Sequence, residues 1–337
     1  MKLFNKTLIF LFISVAFLAG CDHDDTPEEP NLVDRFGPFR VDEGLSADRD
    51  SANFSEGETI TFSAAFNKNV NWIIKIEGME SGSVKLIEGF DRFIGENNGV
   101  WDGGTTQLPL FREEECLVTL TVPEEDADYG DTLMVNAIGT KVYDGNLVAD
   151  FETPAGGSIQ LGDFEFELTP SSGRANDVPA AQGEYFYRLA GTDNESGGPT
   201  DNFFVGLAAI LPSITGETYF QVPTTSPQNL YFNHFLLGVG SQYTRAIVEI
   251  VFDSNDNGQF DDGSDERVSW EVDPTYTGWR LQSTSLAFDG VTNEKLEKIV
   301  AIRLILISRN NIQPDPREEV EFGSDFMIFT QGGPLEL

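Results

Sequence analysis

From Phe36 onward the chain is written in period two. In the run 60–66, Ile60, Phe62, Ala64 and Phe66 fall on one face, and Val70, Trp72, Ile74 and Ile76 repeat the pattern with Asn71, Lys75 and Glu77 between them. No stretch holds apolar residues at helical spacing for long, apart from a single turn expected around 293–298. A chain of this kind has to bury one face of each short strand against a second sheet, so the expectation is an all-β fold of packed sandwiches. Further alternating runs at 83–87, 116–122 and 132–138 are each bounded by Gly, Asn, Asp or Pro. A denser set follows at 184–189, 202–208, 230–237, 246–252, 267–272, 278–284, 300–307 and 325–330, behind a Pro, Ser and Gly-rich stretch at 170–183.

The amino terminus is a different kind of sequence. Lys2 and Lys6 precede an apolar run from Leu8 to Leu18, followed at once by Leu18-Ala19-Gly20-Cys21. The run falls short of the roughly 20 residues a bilayer requires, which makes residues 1–20 a cleavable signal in place of a spanning helix. Small residues directly before a cysteine resemble the bacterial lipobox, which implies lipidation of Cys21. Residues 21–32, with Asp22-His23-Asp24-Asp25 and Glu28-Glu29-Pro30, cannot bury apolar surface and read as an acidic tether. That acidic cluster resembles the export signal of Bacteroidetes surface lipoproteins, which implies an outer-membrane, cell-surface address with the lipid as the only membrane contact.

Loss of Lys2 and Lys6 takes the formal charge from −35 to −37. A field of that sign repels nucleic acid and anionic bilayers and leaves neutral ligands, cations or metal ions as partners. With Cys21 lipidated, Cys116 is the sole remaining thiol, inside the strand-like run 116–122, and reads as buried and inert.

Residues 33–146 read as an immunoglobulin-like β-sandwich, with Trp72 as core filling and Trp101 in a loop, where either packing or ligand contact is open. The Trp101-Asp102-Gly103 turn followed by Pro109-Leu110-Phe111 resembles the spacer domains of Bacteroidetes surface lipoproteins. Residues 147–337 read as a jelly-roll sandwich. Asp150-Phe151-Glu152 at its opening, Thr277-Gly278-Trp279 in the middle and the closing Asp325-Phe326-Met327-Ile328-Phe329 with Pro334-Leu335 resemble the galactose-binding-like carbohydrate-binding modules. The resemblance implies a structural calcium between Glu152 and Asp325. The whole arrangement resembles the SusE/SusF-like accessory proteins of SusC/SusD-type transporters, which implies a polysaccharide or oligosaccharide ligand and a transporter complex as partner.

The most specific chemical pattern is the loop 253–266. Asp253, Asn255, Asn257 and Asp261 at positions 1, 3, 5 and 9, Gly258 at 6 and the Gln259 carbonyl at 7 are how a hard cation collects oxygens from one short segment. Ser264 stands where an EF-hand has its bidentate glutamate, so Asp265 or Glu266 is expected to complete a Ca²⁺ staple.

Catalytic groups are scarce. The chain has two histidines, His23 in the tether and His234 in a strand, so no paired-histidine metal site is available within a folded domain. Gly238-Val239-Gly240-Ser241 has the wrong spacing for a nucleophile elbow, and no phosphate loop is present. The reading is therefore a non-catalytic glycan binder. Its alternatives are a structural or adhesive protein binding another protein, and a hydrolase or lyase with a cryptic carboxylate pair. Alternation places Ala246, Val248, Ile250 and Phe252 inward with Arg245 and Glu249 outward. Likewise Val300, Ile302, Leu304 and Leu306 point in with Arg303 out, and Trp279 and Leu281 in with Arg280 and Gln282 out. The candidate sugar face is thus a polar row of Arg245, Glu249, Arg280, Gln282 and Arg303, which a solvated sheet face would produce equally well, with Tyr231, Asn233, Tyr243 and Tyr276 as the nearest platform candidates and Trp279 as either core or platform.

Overall fold

The computed structural model describes residues 37–152, 159–162, 172–192, 203–212, 217–309 and 318–337. The signal segment, Cys21 and the acidic tether lie outside the described residues. Among the described residues no helix is long and apolar enough to cross a membrane.

The first unit holds β1 (Val41–Ala47), β2 (Ser51–Asn53), β3 (Ile60–Gly78), β4 (Val84–Ile94), β5 (Val100–Trp101), β6 (Glu115–Val122) and β7 (Asp126–Gly139). The two alternating runs expected at 60–66 and 70–76 are one 19-residue strand, β3. It pairs with β1, β4, β5 and β6 along its length, and its register with β4 slips between Ala65 and Val70. The sheet order is β1-β3-β6-β7-β2, all antiparallel except that β2 runs parallel to β7. β1, at one end of this path, also approaches β7, the strand next to its other end, so the sheet curls around its own core. That core contains Phe62, Phe66, Trp72, Ile74, Ile76, Val118, Leu120 and Val135. Trp72 lies directly on the next strand, where a Cβ at Gly89 would meet its ring at 2.3 Å, so only glycine leaves room for it.

Trp101 belongs to the same core. It is fully buried between Phe54 and Phe111, with ring centroids 4.6 and 4.9 Å away, and its indole N–H donates to Gly104 O at 2.9 Å. The loop position therefore carries a packing role. Cys116 is buried as well, and burial, with Glu114 nearby, pushes its thiol up to about 12, which makes it inert.

The second unit is a two-sheet antiparallel sandwich. The first sheet contains β8 (Asn146–Ala149), β10 (Gly173–Ala175), β11 (Phe186–Gly191), β13 (Leu230–Val239), β16 (Thr277–Ser285) and β18 (Val320–Gln331) in the order β10-β11-β18-β13-β16, with β8 also on β18. The second contains β9 (Ile159–Gly162), β12 (Phe203–Ile210), β14 (Thr244–Phe252), β15 (Glu266–Val272) and β17 (Ile299–Ser308) in the order β15-β14-β17-β12-β9. The only helix among the described residues of this unit longer than a 3-10 turn is α1 (Asn293–Leu296), capped by Thr292. Leu189, Phe232, Leu236, Val248, Ile250, Ile302, Leu304, Phe322 and Phe329 fill the space between the sheets.

Two details of phase differ from simple alternation. A register shift where Phe252 meets Ile299 sends Ile299 into the inter-sheet core and turns Val300 to the outer face beside Val251 and Ala301. Trp279 and Leu281 also leave the inter-sheet core. They join Phe235, Ile328 and Leu335, together with Leu110 and Tyr143 of the first unit, in a separate apolar layer at the junction. Leu110 N–H donates to Ala181 O at 2.7 Å across that junction. Both faces of the first sheet are therefore covered.

Candidate functional site

The open-facing chemistry lies on the outer side of the β15-β14-β17-β12-β9 sheet. Glu249 stands opposite Arg303 in the β14–β17 ladder and opposite Ser269 on β15. Arg303 Nη1 meets Glu249 Oε2 at 2.9 Å and Asp262 Oδ1 at 2.8 Å, and Arg267 Nη1 meets Asp262 Oδ1 at 3.0 Å. Arg303 and Glu249 are nearly buried because the loop between β14 and β15 folds back over them. Phe260, carried by that loop, sets its ring 5.7 Å from the Arg303 guanidinium. Beside it opens a cavity of about 270 Å³ lined by Leu211, Pro212, Glu217, Thr218, Gly258, Gln259, Phe260 and Val300. One aromatic ring, a carboxylate, an amide and a hydroxyl thus converge on a concave site with an aliphatic floor.

The expected row is divided by topology. Arg245, Glu249 and Arg303 do face outward on this sheet, but β16 pairs with β13 in the other sheet, so Arg280 and Gln282 do not join them. Arg280 is opposite Leu236 and Gln282 opposite His234, at the edge of the first sheet's inter-sheet side. Arg280 stacks on Tyr276 at 3.9 Å, and Tyr276 donates its hydroxyl to Leu236 O at 3.0 Å. Arg245 pairs with Glu271 at 3.3 Å.

Among the remaining platform candidates, Asn233, Tyr243 and Trp279 make contacts within the fold. Asn233 is buried, donates to Thr330 Oγ1 and accepts Leu335 N–H, thereby fastening the carboxy terminus. Tyr231 lies at the start of β13 opposite Ser285 and Thr330. Tyr243 packs against the edge of the core and accepts from Gln242 Nε2 at 2.9 Å. Trp279 packs edge-on against Phe186 and donates to Pro179 O at 2.8 Å. His234 is buried on Phe232 with Nδ1 on Ser324 Oγ at 3.0 Å and Nε2 without a partner. Burial lowers its pKa to about 4.

The loop 253–266 is built around two carboxylates. Asp253 accepts the amides of Asn255, Asn257 and Gly258 and the Tyr219 hydroxyl, and Asp265 accepts those of Ser254 and Asp261. Burial works against the charge on Asp253, but the Gly258 amide, the Tyr219 hydroxyl and the Asn257 and Asn255 amides hold its pKa below the usual carboxylate range. Asn255 and Asn257 both donate to Asp261, Gln259 is exposed on the pocket rim, and Glu266 pairs with Lys295 at 2.5 Å. Among the described residues no three His, Cys, Asp or Glu side chains gather as a metal cage. A cation in this loop would draw on amide and backbone oxygens as much as on carboxylates.

Glu152 and Asp325 share one neighbourhood. Asp325 is fully buried, and its carboxylate accepts Gln182 N–H and its neighbour Phe326 N–H, each at 2.8 Å. Glu152 Oε1 accepts Glu184 N–H and Tyr185 N–H at 2.9 Å. Gly183 between them has φ 60°, and a Cβ there would meet Glu152 Oε1 at 2.3 Å. Burial, with a further contribution from Glu152, raises the Asp325 pKa well above the carboxylate range. Gln182 Oε1 is buried close by without a hydrogen-bond partner. Glu152 and Asp325 thus flank one segment, the two residues the resemblance assigns to a structural cation.

Phe260, Glu217 and Thr218 were not among the sequence candidates. The one signal for Phe260 is an aromatic residue inside an otherwise polar, glycine-containing turn. Glu217 and Thr218 come from a separate segment that only the folded chain brings there.

No protein-family model matches this chain, and no curated protein matches it. Among solved structures, one described as concerning carbohydrate-binding modules of the beta-sandwich super family is 11% identical, covering 87% of this chain and 98% of that one at a TM-score of 0.36. SGBP-B from a complex xyloglucan utilization locus in Bacteroides uniformis is 11% identical, with 87% and 73% coverage and a TM-score of 0.35. The family 11 carbohydrate-binding module of a Clostridium thermocellum cellulase is 13% identical, with 57% and 97% coverage and a TM-score of 0.30. Similarity at this level bears on neither ligand nor activity.

Proposed function

We propose that this chain is a non-catalytic glycan-binding lipoprotein, anchored through Cys21 at the outer-membrane surface. There it holds polysaccharide for a SusC/SusD-type uptake system, in the manner of SusE/SusF-like accessory proteins. The first unit, read as immunoglobulin-like, is the spacer. The observation that carries the reading is the cavity beside Phe260, where a ring can cover the C–H face of a sugar while Glu217, Thr218 and Gln259 meet its hydroxyls. At about 270 Å³ it lies just below the roughly 300–1,000 Å³ of sites that enclose drug-sized ligands, a size suited to a short segment of a longer chain.

Burial argues against catalysis at the groups best suited to it. Asp325 and His234 are enclosed, so no scissile bond reaches either one. Structural calcium is proposed at two places. Glu152 and Asp325 would hold one ion, which neutralises a buried carboxylate. Asp253, Asn255, Asn257, Gln259, Asp261 and Asp265 or Glu266 would hold another.

The test is affinity electrophoresis of residues 22–337 against soluble polysaccharides, with and without chelator, alongside an assay for new reducing ends. Retardation by one glycan class without new reducing ends supports the reading, and Phe260→Ala should abolish it. Retardation that survives Phe260→Ala moves the site elsewhere. New reducing ends overturn the non-catalytic assignment.

A further inference from the structure

Within the glycan-binding reading, on which this rests, we infer that the site takes uncharged glycans and rejects uronate and sulfated ones. The reason is the state of the cations around the cavity. Recognition of a carboxylate or sulfate needs a guanidinium or ammonium with a free face. Each cation flanking the cavity among the described residues is already engaged by a carboxylate. Arg303 is held by Glu249 and Asp262, and its side chain is only 6% exposed. Arg267 is held by Asp262 and donates to Asp262 O as well. Lys298 is paired with Asp256, and Lys295 with Glu266.

What is left facing the cavity is negative or neutral. Glu217 lines it directly, and the carboxylates of Asp253, Asp261 and Asp265 belong to the loop that supplies its Gly258–Phe260 wall. An anionic sugar placed there meets Glu217 directly, and among the described residues no unpaired cation offsets that charge. A neutral sugar meets the opposite situation. Its hydroxyls can donate to the Glu217 carboxylate in charge-assisted hydrogen bonds and accept from Thr218 and the Gln259 amide, while its C–H face lies on Phe260. The pairing within the protein therefore acts as a filter on substrate charge, local to the site and distinct from the overall charge of −35.

A matched pair of ligands tests this. Whichever neutral polysaccharide retards residues 22–337 is compared with its C6-oxidised uronate form, at 20 mM and 300 mM salt. The expected result is retardation by the neutral polymer, unchanged by salt, and at least a tenfold weaker effect of the uronate at both salts. The raised salt screens the long-range field, so discrimination that persists belongs to the site. Asp262→Asn removes the carboxylate that Arg267 and Arg303 share and leaves Arg267 with Glu249 and the Asp262 carbonyl alone, so it should gain salt-sensitive retardation by the uronate. Equal retardation by both polymers, or an Asp262→Asn variant as indifferent to the uronate as the parent, overturns the inference while leaving glycan binding intact. Absence of retardation by any polymer overturns both.

Discussion

Glu152 and Asp325, at opposite ends of the second unit's sequence, hold one short segment between them: Asp325 accepts the amide of Gln182, and Glu152 accepts those of Glu184 and Tyr185. The same segment offers Ala181 O to Leu110 of the first unit. The buried acid thus stands where the first strand, the last strand and the domain junction meet.

If a cation occupies that position, calcium should raise the unfolding temperature of the mature chain. At a hundredfold excess over its dissociation constant the gain is about 2.7 kcal/mol. Glu152→Gln and Asp325→Asn should each reduce the calcium-dependent shift to the part that the 253–266 loop supplies, as read by thermal unfolding with calcium and with chelator. An equal shift in both variants would place the ion elsewhere.

Stability should fall in mild acid through His234. Its folded pKa is about 4, below the unfolded value of about 6.5, so the unfolded chain binds the extra proton between these limits. The contribution is fully present above about pH 6.5 and is lost as pH falls toward 4, to a total on the order of 3 kcal/mol. Urea midpoints across that range should decline, and His234→Gln should flatten the decline.

The ion pair under the Phe260 loop should show strong coupling. Arg303→Met leaves Glu249 buried opposite an apolar side chain and should cost about 3–5 kcal/mol. Replacing both, Arg303→Met with Glu249→Met, should recover most of that loss. A double variant as unstable as the single one would mean that the arginine's packing, and not its charge, is what matters.

Trp101 offers a direct check on its packing role. Trp101→Ala should destabilise the first unit by about 3–5 kcal/mol, while retardation by glycan at temperatures below unfolding stays as in the parent.

For the amino terminus, Cys21→Ser should shift the protein out of the membrane fraction and abolish incorporation of labelled fatty acid. Persistence of both would refute the lipid anchor.

The strand faces of β3, β14 and most of β17 were legible from alternation, because a sheet with one buried side imposes period two on the residues that build it. Outward placement of Arg245, Glu249 and Arg303 followed from the same rule. Alternation says nothing about which sheet a strand joins. Thus Arg280 and Gln282 went to the wrong row, and Trp279 proved to face the domain junction, where a second apolar layer covers the sheet. A single register slip sufficed to exchange Val300 for Ile299.

By itself the sequence determined a chain of amphipathic strands, an acidic composition, an apolar amino-terminal run with a cysteine after small residues, and too few histidines for paired-histidine chemistry. These are local or compositional properties, readable without knowing what lies across the fold. Tertiary structure alone decided that Glu152 and Asp325 grip the same short segment, that Arg303 pairs with Glu249 and Asp262, and that Phe260 shares a cavity with Glu217 and Thr218. Each of these depends on strand order and loop closure between distant segments, and many orders are compatible with the same alternation until the whole core is packed.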